Sequence, residues 1–165
     1  MKLVTLLRHA KSSWNNADLS DYNRPLNSRG LADAPMMAQR LLDRNCIPDI
    51  IFCSSAQRTR QTAQLFIEGL KLDTDTVSFH ESLYLASPGT LLDFIQSTDS
   101  TYHHAMVIAH NPGIESFGRQ LHPNAPQQMP TCAVSHFALH SNSFVIEPNT
   151  QIDLKFADYP KSNRK

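Results

Sequence analysis

The sequence is poor in glycine, cysteine and tryptophan, with five, three and one in 165 residues. It also lacks any excess of one charge, since 15 Lys+Arg stand against 15 Asp+Glu. That balance excludes the basic surface that a nucleic-acid partner demands. Neither GxxxxGK[ST] nor GxGxxG occurs, which removes the glycine-rich nucleotide loops. Cys46, Cys53 and Cys132 are odd in number and form no CxxC pair, so reduced thiols in a cytoplasmic protein are expected. The N-terminal apolar run from Leu3 to Leu7 is too short for a signal-peptide core or a membrane span, and no membrane partner is expected. There is no HExxH and no Cys–His spacing of a zinc site. The adjacent His103 and His104 lie in a polar stretch, "STDSTYHH", where neighbours rarely point at one ion. No metal and no cofactor are expected.

What is present is a repeated alternation. Residues 2–7 (KLVTLL), 49–53 (DIIFC) and 105–109 (AMVIA) are short apolar runs of the kind found in strands covered on both faces. A further strand is expected near 76–79, and two closing strands at 132–139 and 152–157, at least one of them at the sheet edge. Between these, Ser28 to Asn45 carries Leu31, Met37, Ala38, Leu41 and Leu42 at helical spacing, with Pro35 predicting a kink or a late start. Helices are also expected from Ala56 to Leu70, from Pro88 to Thr98, and after His110, where Asn111 suits the N-cap and Pro112 the first helical position. Residues 122–130 read as a loop. The pattern predicts an α/β three-layer sandwich, with a mostly parallel central sheet and helices on both faces. One domain over residues 1–160 is expected, followed by a basic, frayed tail at 161–165.

In open α/β sheets ligands bind beyond the carboxyl ends of the strands. His9 follows the first strand there, His110 follows the 105–109 strand, and Arg8 stands beside His9. Arg58 and Arg60 fall in the opening turns of a helix whose N-terminus already attracts anions. Guanidinium groups hold phosphate oxygens in a bidentate fork, so these residues converge on a phosphate site.

The same residues carry a resemblance. Leu7-Arg8-His9-Ala10 resembles the Arg-His motif of the histidine phosphatase superfamily, with alanine where many members have glycine. "RPLNSRGLADA" (Arg24 to Ala34), "SSAQRTRQTA" (Ser54 to Ala63) and "IAHNPG" (Ile108 to Gly113) resemble its later motifs and stand in the family order. The small size and the "RHAKSSW" wording look most like the SixA-type phosphohistidine phosphatase branch, whose fold is phosphoglycerate-mutase-like. The resemblance implies that His9 is the nucleophile accepting the phosphoryl group. Arg8 and Arg58 would hold its oxygens, His110 would contact it from the opposite rim, and Asn15 would stand near the phosphate. Arg60 is not the motif arginine and reads as a solvated helix charge. For the acid that protonates a leaving group, Glu81 is the best positional match, with Asp18 and Asp21 as rivals.

The resemblance thus implies a metal-independent phosphatase acting through a phosphohistidine intermediate, most of all on phosphohistidine in proteins. Small phosphoesters or phosphoanhydrides, a phosphomutase, and a non-catalytic phosphate-binding adaptor stand as alternatives. The expected partner is a phosphorylated protein or small phosphorylated molecule, bound by a monomer.

Overall fold

A computed structural model describes residues 1–162 of the chain. Six strands form one sheet: β1 (Lys2–Arg8), β2 (Ile50–Ser54), β3 (Val77–His80), β4 (His104–Ala109), β5 (Val134–Leu139) and β6 (Ile152–Asp158). Their order is β3-β2-β4-β1-β5-β6. The pairings among β3, β2, β4 and β1 are parallel, whereas β5 runs antiparallel to both β1 and β6. Only β5 therefore opposes the common direction, and the expected mostly parallel sheet is what the chain forms. β6 closes the edge.

Side chains alternate across the sheet with a period of two. Val4, Leu6, Val107 and Phe137 face one layer, formed by α3 (Pro88–Gln96) and α4 (Gly113–Leu121). Leu7, Met106, Ile108 and Val134 face the other, formed by α1 (Ser28–Asp43) and α2 (Gln57–Leu70). Both cores are continuous, which is why β4 and β5 are buried along their whole lengths.

α1 begins at Ser28, the first residue of the expected helical stretch, and not late, because the Asn27 side chain accepts from the Gly30 N–H at 2.9 Å and caps the first turn. Pro35 is tolerated inside the helix on its exposed face, where the carbonyl it leaves unpaired can meet water. At α4, Asn111 is not the N-cap. The cap is Pro112, after a cis peptide bond, and the Asn111 amide donates instead to Glu115 and the Met129 carbonyl. β5 begins two residues later than expected, because Cys132 adopts a left-handed φ of 63° that no strand sustains. Of the expected basic tail, residues 163–165 lie outside the described residues. No helix among the described residues is long and apolar enough to cross a membrane.

Candidate active site

β1 and β4 are neighbours running in parallel, with Arg8 paired to Ala109. That register sets His9 and His110, the next residue of each strand, side by side at the carboxyl edge of the sheet. Their ring centroids are 5.3 Å apart. The His9 backbone is held from three directions. Its N–H donates to the Ala109 carbonyl at 3.2 Å, its carbonyl accepts from Cys132 at 2.9 Å, and the next N–H donates to Thr62 Oγ1 at 3.0 Å.

The His9 ring is fixed equally firmly. Nδ1 lies 2.7 Å from the Ala10 carbonyl, an acceptor only, so the proton sits on Nδ1 and Nε2 carries the free lone pair. Arg58, on the first turn of α2, directs Nε–H at that Nε2 from 3.3 Å. Burial pushes the His9 pKa down to about 3, against the pull of the Ala10 carbonyl, and the positive groups His110, Arg58 and Arg8 lower it further. The imidazole is therefore neutral throughout the physiological range. Burial and then Arg58 likewise lower His110 to about 3. His110 Nε2 lies 2.7 Å from Ser54 Oγ, at the end of β2.

The pocket these groups line has a volume of about 190 Å³ and contains Arg8, His9, Arg58 and His110 together. Three buried polar atoms of its lining residues, the acceptor Asn111 Oδ1, His110 Nδ1 and the donor Arg8 Nε, have no hydrogen-bond partner among the described residues. A phosphoryl oxygen supplies acceptors for such donors, and buried donors are rarely left unpaired.

Two expected residues lie elsewhere. Asn15 is exposed on the loop after β1 and does not line the pocket, because the chain turns there with the Asn15 N–H donating to Ser13 Oγ. Glu81 is also outside the lining. Its Oε1 accepts from the Tyr22 hydroxyl at 2.7 Å, and Tyr22 and Ser55 hold its carboxyl below the usual range. Arg60 is exposed as expected, with Nε donating to the Ser55 carbonyl at 2.8 Å and its guanidinium over the Phe79 ring.

Other groups enter that the motif reading did not single out. Lys11, Ser12, Trp14, Arg24 and Thr131 line the pocket as well. Arg24 opens the "RPL" stretch, so its position was visible in the sequence although its role was not. It stacks on Trp14 and donates to Ser13, Ser12 and Asp21. Asp21 is the carboxylate most entangled with the site. Its backbone carbonyl accepts from Arg58 Nη1 at 2.7 Å and its carboxylate from Arg58 Nη2 at 3.0 Å, while the Tyr84 hydroxyl donates to the same carboxylate oxygen. Burial raises the Asp21 pKa, but the bonds from Tyr84, Arg24 and Arg58 outweigh it and hold the group at about 2. Asp18, the other rival, lies exposed in the same loop.

Sheet, pocket and paired histidines define an α/β protein whose strand ends bring two arginines and two histidines into one pocket. The profile of the histidine phosphatase superfamily (branch 1) matches residues 4–83. The chain belongs to that superfamily, and its fold is similar to that of SixA-type proteins. An uncharacterized chloroplastic protein of Arabidopsis thaliana is 32% identical over 153 residues, covering 86% of this chain and 68% of that protein. The chain thus spans about two thirds of the length of that relative. A SixA protein of Agrobacterium tumefaciens, assigned as a phosphohistidine phosphatase, superposes with a TM-score of 0.82 at 27% identity, over 96% of this chain and 98% of its own. The protein histidine phosphatase SixA complexed with tungstate superposes at 0.79 with 22% identity, over 96% and 97% of the two chains. Membership and these neighbours support phosphatase activity.

Proposed function

We propose that this protein is a metal-independent phosphatase that removes phosphoryl groups from phosphohistidine in proteins, through a phosphohistidine intermediate on its own His9. The observation that carries the reading is the His9 ring itself, protonated on Nδ1 toward Ala10, with its Nε2 lone pair facing Arg58 inside the pocket. Such a nitrogen attacks phosphorus directly, forming the P–N bond as the bond to the leaving group breaks. Water then attacks the same phosphorus, the P–N bond to His9 breaks, and phosphate leaves with neutral His9 restored. Arg8 and Arg58 stabilise the charge on the equatorial oxygens, which is the main demand of phosphoryl transfer.

Two features support phosphohistidine over a small ester. First, Asp21 at about 2 and the lowered Glu81 are both ionised at neutral pH, whereas a general acid needs a raised pKa. A phosphohistidine leaving group needs little acid help, because its far ring nitrogen can be protonated beforehand. Second, about 190 Å³ is small beside the roughly 300–1,000 Å³ of pockets that enclose a whole ligand. Only the phosphoryl end enters, and the rest of the substrate rests on a rim where Trp14 is 74% and Leu85 56% exposed. An exposed aromatic and aliphatic rim suits a protein surface. The SixA protein noted above holds tungstate, an oxyanion of phosphate-like shape.

The test is phosphate release from a phosphohistidine-bearing protein, with chelator present, for the native chain and His9→Ala. Turnover by the native chain and none by the variant is expected. Equal turnover by both would overturn the assignment of the pocket. Activity on a phosphoanhydride alone would restrict the function to small molecules, and phosphate binding without turnover would leave an adaptor. Glu81→Gln is expected to leave phosphohistidine turnover nearly unchanged; large and equal losses on phosphohistidine and an aryl phosphate would show that Glu81 serves both leaving groups.

A further inference from the structure

A second chemical cluster lies in the same sheet, toward the opposite end of the strands. The two-residue period that sends Met106 and Ile108 toward α1 and α2 sends His104 there too, and the same period on β5 sends His136 after Val134. Cys46 reaches this point from the α1–β2 loop. Asn45, with a left-handed φ of 54°, turns the chain, and the Cys46 N–H donates to the Leu41 carbonyl at the end of α1. One ligand atom from each of Cys46, His104 and His136 lies within 4.8 Å of the others, and all three residues are buried. His104 opens β4 five residues before Ala109, which places it about 16 Å along the strand from the phosphoryl edge.

We propose that Cys46, His104 and His136 form a zinc-binding site, separate from the phosphoryl pocket, that ties the α1–β2 loop to β4 and β5. A thiolate with two imidazoles is a donor set that selects zinc over magnesium or calcium. The spacing suits it. With zinc–sulfur and zinc–nitrogen bonds of about 2.3 and 2.0 Å, a tetrahedral S···N edge is about 3.5 Å, and Cys46 Sγ stands 3.5 Å from His136 Nδ1. The His104 ring is already oriented as a ligand. Its Nδ1–H donates to the Ile47 carbonyl at 3.0 Å, which fixes the tautomer and leaves the Nε2 lone pair facing the cluster. The Thr5 hydroxyl donates to that His104 Nε2 at 2.7 Å and so accepts from His136 Nδ1–H at 2.8 Å; it stands between the two nitrogens and must turn away for zinc to bind.

Burial first holds both imidazoles at about 4, so both are neutral ligands at neutral pH. The thiol is the one group that must ionise. Binding converts Cys46–SH and Zn²⁺ to a zinc-bound thiolate and one released proton, while the His136 proton moves from Nδ1 to Nε2, so that each imidazole keeps a single N–H. An adjoining cavity of about 390 Å³, lined in part by Cys46 and His136, gives the ion a route in and water to the fourth position. Two cationic side chains line that cavity: Arg44 is drawn off by the Asp158 carboxylate at 3.1 Å and the Phe156 ring, whereas Lys155 stays close enough to help hold His136 neutral. The three donors come from segments far apart in sequence, which is why no ligand spacing marks the site.

Cobalt(II) is the probe, because a thiolate ligand gives it a near-ultraviolet charge-transfer band that histidine sites lack. Titration of the full native chain with cobalt should give that band at one equivalent, and zinc should displace it. Cys46→Ser should abolish the band, and His136→Gln should weaken zinc binding by more than roughly a hundredfold, since outer-shell partners alone contribute 10–100-fold. Both variants should retain phosphatase turnover, which also reports that they fold. If a variant fails to fold, alkylation of the native chain decides. Zinc should slow modification of Cys46 and leave Cys53 and Cys132 unchanged. No band in the native chain, a band that survives Cys46→Ser, or no protection of Cys46 would overturn the proposal.

Discussion

At the scale of single residues, chemistry rests on which nitrogen of His9 holds a proton. The Ala10 carbonyl answers this, and burial keeps the ring neutral. A proton-NMR titration should therefore find the His9 ring in its neutral position from pH 8 down to pH 5. Titration near 6.5, the value of a free imidazole, would contradict the environment described. Arg58 has its Nε on His9 and both terminal nitrogens on Asp21. Arg58→Ala is expected to lower kcat/KM by roughly a hundredfold or more, by analogy with losing an oxyanion donor worth about 2–4 kcal/mol; steady-state kinetics on an aryl phosphate checks it. His9, His110, Arg8 and Arg58 were legible because each sits at or directly after the end of a strand or at the start of a helix, where rank order along the chain fixes the place in space. Asp21 was singled out only as a rival proton donor and Arg24 only as the start of a motif, since a loop and a short 3-10 turn carry them, and nothing in that spacing says which way a side chain turns. Asn15 belongs to that same loop.

At the scale of elements, two motif glycines have a steric reason. A Cβ on Gly30 would stand 2.2 Å from the Lys11 carbonyl oxygen, and one on Gly113 would stand 1.9 Å from that of Ala86. Both contacts are with backbone, so neither can yield without moving the loops that flank the pocket. Gly118, inside α4, would meet only side chains at 3.7 Å or more. Gly113→Ala should therefore destabilise the fold by about 1–3 kcal/mol and reduce turnover, because α4 starts three residues after His110. Gly118→Ala should be neutral or stabilising by up to about 1 kcal/mol. Urea unfolding of the pair measures this, and equal effects would contradict the packing described. The strands and helices themselves were legible from apolar runs and helical spacing. The Asn27 cap is local, a bond to Gly30 three residues on, and was masked because Pro35 pointed to a later start. Cys132 and the Asn111–Pro112 turn were not legible, because left-handed or cis backbone depends on partners distant in sequence.

At the scale of the whole molecule, four histidines are buried with lowered pKa values: His9 and His110 at about 3, His104 and His136 at about 4. The unfolded chain protonates all four near 6.5, whereas the folded chain resists until pH 4 or below. Their stabilising contribution is thus full above pH 6.5 and is lost as pH falls toward 4. Thermal midpoints should drop steadily between pH 7 and pH 5, and a flat profile over that range would contradict the buried, neutral state of these rings. The layered sheet that buries them was readable from the alternation of strands and helices. The meeting of Cys46, His104 and His136 was not, because it depends on which strands become neighbours.

The central claim is that His9 carries the phosphoryl group during turnover. The most direct measurement is mass spectrometry of the native chain, quenched in base within the first turnovers on a phosphohistidine-bearing protein, since phosphohistidine survives base and not acid. A phosphoryl group on the peptide containing His9, absent from His9→Ala, is the predicted result. Turnover with no phosphorylated His9, or with the group on another residue, would contradict it.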